Sequence, residues 1–379
     1  MMRVISRTMR QIAIAVIVAV FASLAARSSI AATEDPAPDA IALAELDGFA
    51  LGLEQANQFS GVVLVARDGQ VLFEKAYGKI DEKKDSPVTL DTRFNLASAG
   101  KMFTSTAIWQ QMALGRLTLD TTVGEVLKDY PNKKFASTVM VRHLLTHTAG
   151  AGDIDLFGAE NAANRKRVHG VADMVALHGG RAPKFVPGSK QEYSNFGFVV
   201  LGRMVEVLSG QDYESYVKQH IFLPAGMTHT GFVNCVDRAP DIAVGYATVN
   251  GKRRVNCLTQ PTRGFPAGGE VSTADDMFRF VQALQTGKLF PLELFAKAIT
   301  TQREFMGFGF FATGYGPGVP EREFQWGHGG SSDGACTHIK THPKTGETII
   351  VLANIDPPGC FPVSNFLHKQ YDKKSAMSK

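Results

Sequence analysis

Two β-hairpin patterns stand near opposite ends of this chain, and they constrain its fold more than any other feature. The first joins Gly61–Arg67 to Gln70–Tyr77 through an Asp-Gly dipeptide, which favours a tight hairpin turn. The second joins Ala335–His342 to Glu347–Asn354 through a Pro-Lys-Thr-Gly turn. The residues between the hairpins have mostly helical spacing. The pattern therefore predicts an antiparallel sheet assembled from both chain ends and flanked by helices.

Helical spacing predicts a mainly helical subdomain, roughly residues 115–290, inserted between the two parts of the sheet. Glycines that follow the periodic runs mark helix ends. Residues 39–379 then form one domain of the α/β (α+β) class. The predicted helices cover residues 39–57, Lys101–Leu114, Ser194–Leu208, Tyr213–Phe222, Ala274–Leu284 and Phe361–Tyr371.

The amino terminus has the pattern of a secretory signal peptide. Three arginines precede the apolar run Ile12–Ala25, and Ser29-Ile30-Ala31 follows as a cleavage site. The run is shorter than the ~20 apolar residues that a membrane span needs. We expect cleavage near Ala31, a flexible leader over residues 32–38, and a periplasmic or secreted protein with no stable membrane anchor. An uncleaved anchor is the alternative.

Removing the signal peptide changes the charge balance. Residues 1–31 hold four of the 40 basic residues and none of the 36 acidic ones, so the mature chain has 36 of each. A near-neutral chain without basic clusters has no electrostatic footprint for nucleic acid or for an anionic membrane. The expected partner is a small-molecule or peptide substrate, and no nucleic acid.

The four cysteines allow three disulfide connectivities in an oxidising compartment. The local pairs Cys235–Cys257 and Cys336–Cys360 are the preferred interpretation, and four buried thiols are the alternative. No pair has the Cys-x-x-Cys spacing of a redox or zinc site. The cysteine spacing therefore indicates neither a redox centre nor a zinc site.

Ser98-Ala99-Gly100-Lys101 opens an apolar helix and is the strongest candidate for a catalytic centre. Residues three apart at a helix start share one face, so the Lys101 ammonium can reach the Ser98 hydroxyl. Burial lowers the pKa of a lysine and lets it act as a base, while the helix amino terminus favours nearby negative charge. A second Ser-x-x-Lys, from Ser215 to Lys218, falls inside an amphipathic helix, where exposed polar positions are the simpler interpretation.

Tyr193-Ser194-Asn195 begins the next informative helix. A phenol beside an ammonium can pass a proton between Ser98 and a leaving group, and the Asn195 amide can both donate to a substrate and accept from it. The alternative is a core tyrosine followed by a serine N-cap. A rival Tyr130-Pro131-Asn132 is interpreted as a surface turn.

His328-Gly329-Gly330 precedes the closing hairpin. Small residues on an edge strand let a substrate backbone approach, and the N–H of Ser331 can pair with the N–H of Ser98 as an oxyanion hole. The alternative is a glycine-rich turn with an incidental histidine. Upstream, Asp153 and Asp155 follow the Thr148-Ala149-Gly150 turn, where solvated loop residues are the simpler interpretation and residues that line the cleft are the alternative.

In this order, the three motifs resemble those of the serine β-lactamase and penicillin-binding-protein superfamily, nearest its class C and esterase branch. Three further blocks are similar to recurrent family segments: Met140–Gly150, Leu223–Met227 and Gly268–Asp276. The resemblance implies a β-lactamase/transpeptidase-like fold and an acyl-enzyme route that needs no metal and no other cofactor. It assigns Ser98 as the nucleophile, Lys101 and Tyr193 as the acid and base machinery, Asn195 as a substrate contact, and His328, Gly329, Gly330 and Ser331 as the substrate-side strand.

The third motif departs from the family pattern. Members that act on β-lactams typically have Lys-Thr-Gly there, whereas this chain has His328 and Gly329, and its literal Lys344-Thr345-Gly346 falls at a predicted hairpin tip. A histidine near its ordinary pKa of ~6.5 is only partly charged, so it grips a carboxylate weakly. We therefore expect hydrolysis of an ester, amide or peptide bond. A class C-like β-lactamase and a slowly deacylating penicillin-binding or sensor protein are the alternatives.

Two other kinds of active site fit the sequence less well. Gly330–Gly334 matches a Gly-x-Ser-x-Gly nucleophile elbow centred on Ser332, but that elbow joins a strand to a helix, and a strand pattern follows here. Two histidine pairs are poor metal sites. His338 and His342 are ~13 Å apart at ~3.3 Å per strand residue, and His143 and His147 lack the acidic partner of a His-Glu-x-x-His site.

Overall fold

The computed structural model describes residues 40–154, 167–234, 238–250, 252–256, 263–314, 324–355 and 359–367. The predicted signal peptide and leader lie outside these residues, as do Cys235, Cys257 and Asp155. The chain divides after Glu45, and the sheet, the core and the candidate site all lie in Leu46–Lys379.

Helices and strands alternate in groups along the chain. The strands are β1 Gly61–Arg67, β2 Gln70–Tyr77, β3 Lys79–Asp81, β4 Ser86–Pro87, β5 Phe94–Asn95, β6 Tyr246–Val249, β7 Lys252–Val255, β8 Val271–Ser272, β9 Phe311–Thr313, β10 Gln325–Ser332, β11 Ala335–His342 and β12 Glu347–Ala353. The helices are α1 Ala40–Gln55, α2 Lys101–Ala113, α3 Val123–Val126, α4 Lys133–Thr138, α5 Val141–Leu145, α6 Val171–His178, α7 Asn195–Ser209, α8 Tyr213–Val217, α9 Leu223–Ala225, α10 Ala274–Gln285 and α11 Leu292–Ala298.

The central sheet has six strands in the order β2-β1-β12-β11-β10-β9, and every pairing in it is antiparallel. β1 pairs with β12 from Gly61 opposite Ala353 to Arg67 opposite Glu347, so the two chain ends meet at the middle of the sheet. β1 and β12 are buried along nearly their whole length, and α10 packs against both. The prediction of a sheet built from both chain ends is confirmed.

α2 is the central helix, and residues Lys101–Trp109 on it are all buried. A helix buried on all sides belongs inside a fold, and α2 contacts α7, α8, α11 and β10. Phe103 meets the edges of Phe222 and Phe280, with ring centroids 4.9 Å apart in both pairs. Each fully buried ring of this kind stabilises the fold by about 1.5–3 kcal/mol relative to exposure.

Most predicted elements agree with the structure to within two residues, but the predicted helix Tyr213–Phe222 is α-helical only to Val217 and continues as a π-helical turn over Lys218–Phe222. Both hairpins and the helices α2, α7 and α10 begin and end close to the predicted positions, and residues 361–367 of the predicted final helix are helical. Lys344-Thr345-Gly346 lies in the β11–β12 turn, as predicted. The Cys336–Cys360 disulfide is present, with its Cα atoms 5.5 Å apart.

Some features were missed or misread. The inserted region is not purely helical, because β6 pairs with β7 and β8 pairs with β5. The interpretation of Tyr130 as part of a surface turn is wrong, since it is buried and stacks on Phe135 at 5.1 Å. Within the described residues, no helix is long and apolar enough to cross a membrane.

Candidate active site

Ser98 lies in a tight 3₁₀ turn, Ala97–Gly100, that leads directly into α2. We call this segment the Ser98 turn. Ala97 has a φ of +44°, a conformation that costs an alanine energy and persists only when its surroundings impose it. Its N–H donates to Asn95 Oδ1 at 2.8 Å, and its carbonyl accepts the N–H of Gly269 at 3.1 Å. The turn is therefore held from both sides.

Lys101 is fully buried beneath this turn. Its Nζ donates to Ser98 Oγ at 3.1 Å, to Asn195 Oδ1 at 2.6 Å and to the Ala267 carbonyl at 2.7 Å. Burial lowers the pKa of Lys101 to about 7, and the carboxylates of Asp153 and Glu270 oppose that shift. Near neutral pH a large fraction of Lys101 is an uncharged amine, which is the form that can accept the Ser98 proton.

Tyr193 completes the polar contacts of Ser98. Its hydroxyl hydrogen-bonds to the Ser98 side chain, and its ring centroid lies 4.9 Å from Lys101 Nζ. Burial raises the pKa of the Tyr193 phenol above its ordinary value. The hydroxyl is therefore protonated at neutral pH and available as a donor. The structure brings Ser98, Lys101 and Tyr193 together, as the sequence predicts.

His147 orients the second motif from behind. Its ring stacks on Tyr193 with centroids 4.2 Å apart, and its Nδ1 accepts the N–H of Ser194 at 3.1 Å. Burial and then the charge of Lys101 hold the pKa of His147 well below its usual range. It is therefore a neutral residue that supports Tyr193. The sequence pattern indicated only a structural role for His147.

Asp153 is an exposed loop residue, as interpreted, and the structure adds that its carboxylate holds Asn195. Its carboxylate accepts the Asn195 N–H at 2.8 Å and the Asn195 amide Nδ2 at 3.1 Å. This clamp leaves Asn195 Oδ1 directed at Lys101. The Asn195 amide oxygen accepts from Lys101, and one of the two Nδ2 hydrogens is donated to Asp153. One Nδ2 hydrogen therefore remains for a substrate.

The His328–Ser331 segment lies on β10, which runs beside the Ser98 turn. A Cβ on Gly330 would come 2.2 Å from the Leu96 carbonyl and 3.0 Å from the Ser98 nitrogen. β9 pairs only with Gln325 to Gly327. Within the described residues, the β10 edge beyond Gly327 therefore has no strand on that side, which is the geometry that a substrate backbone or an oxyanion hole requires.

His328 is buried and uncharged. Its ring stacks on Phe311 with centroids 3.9 Å apart, and its Nδ1 lies 2.5 Å from the Gly329 carbonyl. Burial and then the charge of Lys101 lower its pKa to about 3. The sequence-based expectation of an ordinary pKa for His328 is therefore wrong. Carboxylate binding by His328 should be even weaker than expected from the sequence, because a neutral ring supplies no cation.

Glycine at position 330 leads to a paired prediction. Gly330→Ala should lower the kcat/KM for ester hydrolysis by about 10²-fold, because the new methyl group must displace the Ser98 turn and catalysis tolerates little misplacement. Gly329→Ala should retain most of the activity, since its Cβ meets nothing nearer than 3.8 Å. Equal losses in the two purified variants would contradict the close packing of β10 on the turn.

The competing sites do not form. Ser332 ends β10 and is followed by β11, so the strand-to-helix elbow is absent. Within the described residues, no hydrogen bond joins Ser215 to a lysine. The Ser215 N–H donates to the side chain of Asp212, and Lys218 is exposed. In the part of the chain that the structure describes, no three His, Cys, Asp or Glu side chains are placed to hold a metal ion.

A serine at a helix start that contacts a buried lysine and a tyrosine, beside an open strand edge, is the arrangement of a serine hydrolase. Comparison with known proteins gives the family: the beta-lactamase family matches residues 46–372. The chain belongs to that family.

Relatives carry different names within the family. The putative penicillin-binding protein PbpX of Bacillus subtilis is 31% identical over 299 residues, which cover 78% of this chain and 70% of PbpX. Esterase EstB of Burkholderia gladioli is 31% identical over 338 residues, 79% of this chain and 82% of EstB. A penicillin-binding protein from Bacillus halodurans superposes with a TM-score of 0.74 at 27% identity, covering 84% of this chain and 99% of that one.

Proposed function

We propose that this protein is an exported hydrolase that cleaves an ester, amide or peptide bond and becomes acylated at Ser98 during the reaction. The observation that carries the proposal is the 3.1 Å contact between Ser98 Oγ and the buried Lys101 Nζ. Export is supported by the signal-like amino terminus and by the Cys336–Cys360 disulfide, which is typical of oxidising compartments.

The reaction follows from the contacts of Ser98. The neutral Lys101 amine takes the Ser98 proton while Oγ forms a bond to the substrate carbonyl carbon. The N–H groups of Ser98 and Ser331 face the oxyanion that develops. The Tyr193 hydroxyl gives its proton to the leaving oxygen or nitrogen as that bond breaks, and the proton held by Lys101 restores it. Water then attacks the acyl carbon and gives a proton to the neutral Lys101 amine. The bond between that carbon and Ser98 Oγ breaks, and the proton taken from water passes to Oγ.

The surroundings of His328 favour substrates without a carboxylate. Phe311 covers the ring of His328, and the half-exposed Phe305 meets Phe311 edge-on with centroids 5.2 Å apart. These aromatic rings and a neutral imidazole replace the cation and hydroxyl of a Lys-Thr-Gly strand. The similarity to esterase EstB also supports an ester as the substrate. A neutral ester is therefore the preferred class of substrate.

Matched leaving groups test this preference. Acetyl esters of 3-hydroxybenzamide and 3-hydroxybenzoate differ only in the charge of the leaving group. The neutral ester should have a kcat/KM about tenfold or more above that of the anionic ester, because the carboxylate would lose water of hydration beside a neutral His328 ring that supplies no compensating charge. A chromogenic cephalosporin should react more slowly still. A preference for the anionic ester would overturn the assignment of His328 as a neutral residue that does not bind a carboxylate.

Penicillin binding with slow deacylation is the second candidate, because two of the relatives above are named penicillin-binding proteins. It predicts a stoichiometric burst of product followed by almost no turnover. Sustained hydrolysis after the burst, with free enzyme recovered, would favour the hydrolase.

A further inference from the structure

Aromatic side chains cover the His328 end of β10. Phe311 on β9 pairs with Gly327, and its ring extends past this last pair of the ladder. The ring stacks on His328 with centroids 3.9 Å apart, and its Cε2 would lie 3.8 Å from a Cβ on Gly329. The Phe311 ring therefore lies alongside the strand edge that a substrate approaches.

Phe305 extends this aromatic surface toward solvent. It lies in the tight turn Arg303–Met306, whose first and last residues exchange backbone hydrogen bonds of 2.7 and 3.3 Å. The Phe305 carbonyl accepts the Ala312 N–H at 2.7 Å, and its ring meets Phe311 edge-on with centroids 5.2 Å apart. The turn is therefore anchored to β9, and it holds in place an aromatic residue that is 44% exposed.

The same turn contacts the segment that carries Tyr193. Arg303 Nη2 donates to the Gly188 carbonyl at 2.6 Å, and Gly188 lies five residues before Tyr193. The Gly188 N–H in turn donates to the Thr148 carbonyl at 2.8 Å, so the contact is held from both sides. Val186, two residues before Gly188, is also exposed. Two apolar side chains, Val186 and Phe305, thus lie close to the point where the two segments meet.

The position of this aromatic surface relative to the reacting atoms assigns it to the leaving group. In the proposed reaction, the carbonyl oxygen of the substrate faces the N–H groups of Ser98 and Ser331, and the leaving atom faces the Tyr193 hydroxyl. Ser331 and His328 are three residues apart, which is about 10 Å along a strand. The oxyanion and the aromatic rings therefore lie at different ends of β10. The part of the substrate that extends toward Tyr193 and Phe311 is the part that is released.

We propose that Phe305 and Phe311 form a subsite for an aromatic leaving group, and that Phe305 determines the preference for it. The inference rests on the proposed function and names a substrate class for the same site, the esters of aromatic or arylmethyl alcohols. A ring bound there meets the two phenylalanines in offset or edge-to-face contacts, and apolar surface on both sides is removed from water.

Two isomeric esters distinguish the leaving group from the acyl group. Benzyl acetate carries its ring on the leaving alcohol, whereas methyl phenylacetate carries the same ring on the acyl group. Phe305→Ala should lower the kcat/KM for benzyl acetate by about five- to tenfold and that for methyl phenylacetate by less than about twofold, because only the first ester loses an aromatic contact. Phe305→Leu keeps an apolar side chain and should lose less. Comparing each variant with the wild type cancels the difference in intrinsic reactivity between the esters.

Val71→Ala is the matched control. Val71 is 45% exposed, close to the value for Phe305, and lies on β2, which forms the edge of the central sheet opposite to β9. Its substitution removes exposed apolar surface far from the Ser98 turn. It should leave the kcat/KM for both esters unchanged.

The outcomes separate this inference from the proposed function. An equal effect of Phe305→Ala on the two esters, no effect, or a loss confined to methyl phenylacetate would overturn the subsite. A fluorophosphonate probe, followed by mass spectrometry, tests Ser98 independently. Labelling of wild-type Ser98 without hydrolysis of either ester would also overturn the subsite and leave the nucleophile assigned. Failure of the probe to label Ser98 would instead reject the proposed function and this inference with it.

Discussion

Replacing Ser98 with alanine is expected to lower the kcat/KM for a neutral nitrophenyl ester by at least about 10⁴-fold. The hydroxyl that Lys101 and Tyr193 contact is the atom that forms the acyl-enzyme, and no neighbouring group replaces it. Rates of the purified variant and the wild type, with circular dichroism to verify folding, measure the effect.

Two serines serve as controls for this substitution. Ser215→Ala changes the second Ser-x-x-Lys copy, and Ser332→Ala changes the nucleophile of the competing elbow motif. Both variants should keep nearly full activity, because neither serine lies in the Ser98 turn. If Ser332→Ala were inactive and Ser98→Ala active, the assignment of the nucleophile would be reversed.

Lys101→Met is expected to lower the same kcat/KM by about 10³-fold, within the range that a positioned acid or base contributes. Methionine preserves much of the buried volume but removes the amine that contacts Ser98, Asn195 and Ala267. Lys218→Met, in the exposed copy of the motif, should be active.

The pH profile supplies an independent check of Lys101. Since only the uncharged amine accepts a proton and its pKa is about 7, wild-type activity should be high above that pH and fall as the pH drops below it. An unperturbed lysine would give a limb near its ordinary value of ~10.4. An acid limb near that value, or full activity in Lys101→Met, would show that another group is the base.

The spacing of residues anticipated much of the site because its three motifs lie on regular elements. Ser98 and Lys101 are three residues apart at a helix start, and Asn195 begins α7, where Ser194 accepts the Gly197 N–H at 3.0 Å. These local contacts follow from helix geometry and capping rules, which act over a few residues.

The roles of other site residues could not be predicted from the sequence, because they depend on contacts between distant segments. Asp153 clamps Asn195 across 42 residues, and Lys101 meets Ala267 across 166. The only sequence signal for Ala267–Glu270 was its overlap with Gly268–Asp276, which is similar to a recurrent family block. Nothing in its composition indicated that Glu270 would be fully buried beside Lys101.

The sequence by itself determined the antiparallel sheet from both chain ends, the main helices and the identity of the three motifs, since alternation, helical spacing and turn residues are local properties. The tertiary structure alone decided the charge states. Burial makes His328 neutral, gives Lys101 a pKa of about 7 and raises that of Glu270 to about 8. A pKa depends on which groups exclude water and which charges lie near, and folding sets both.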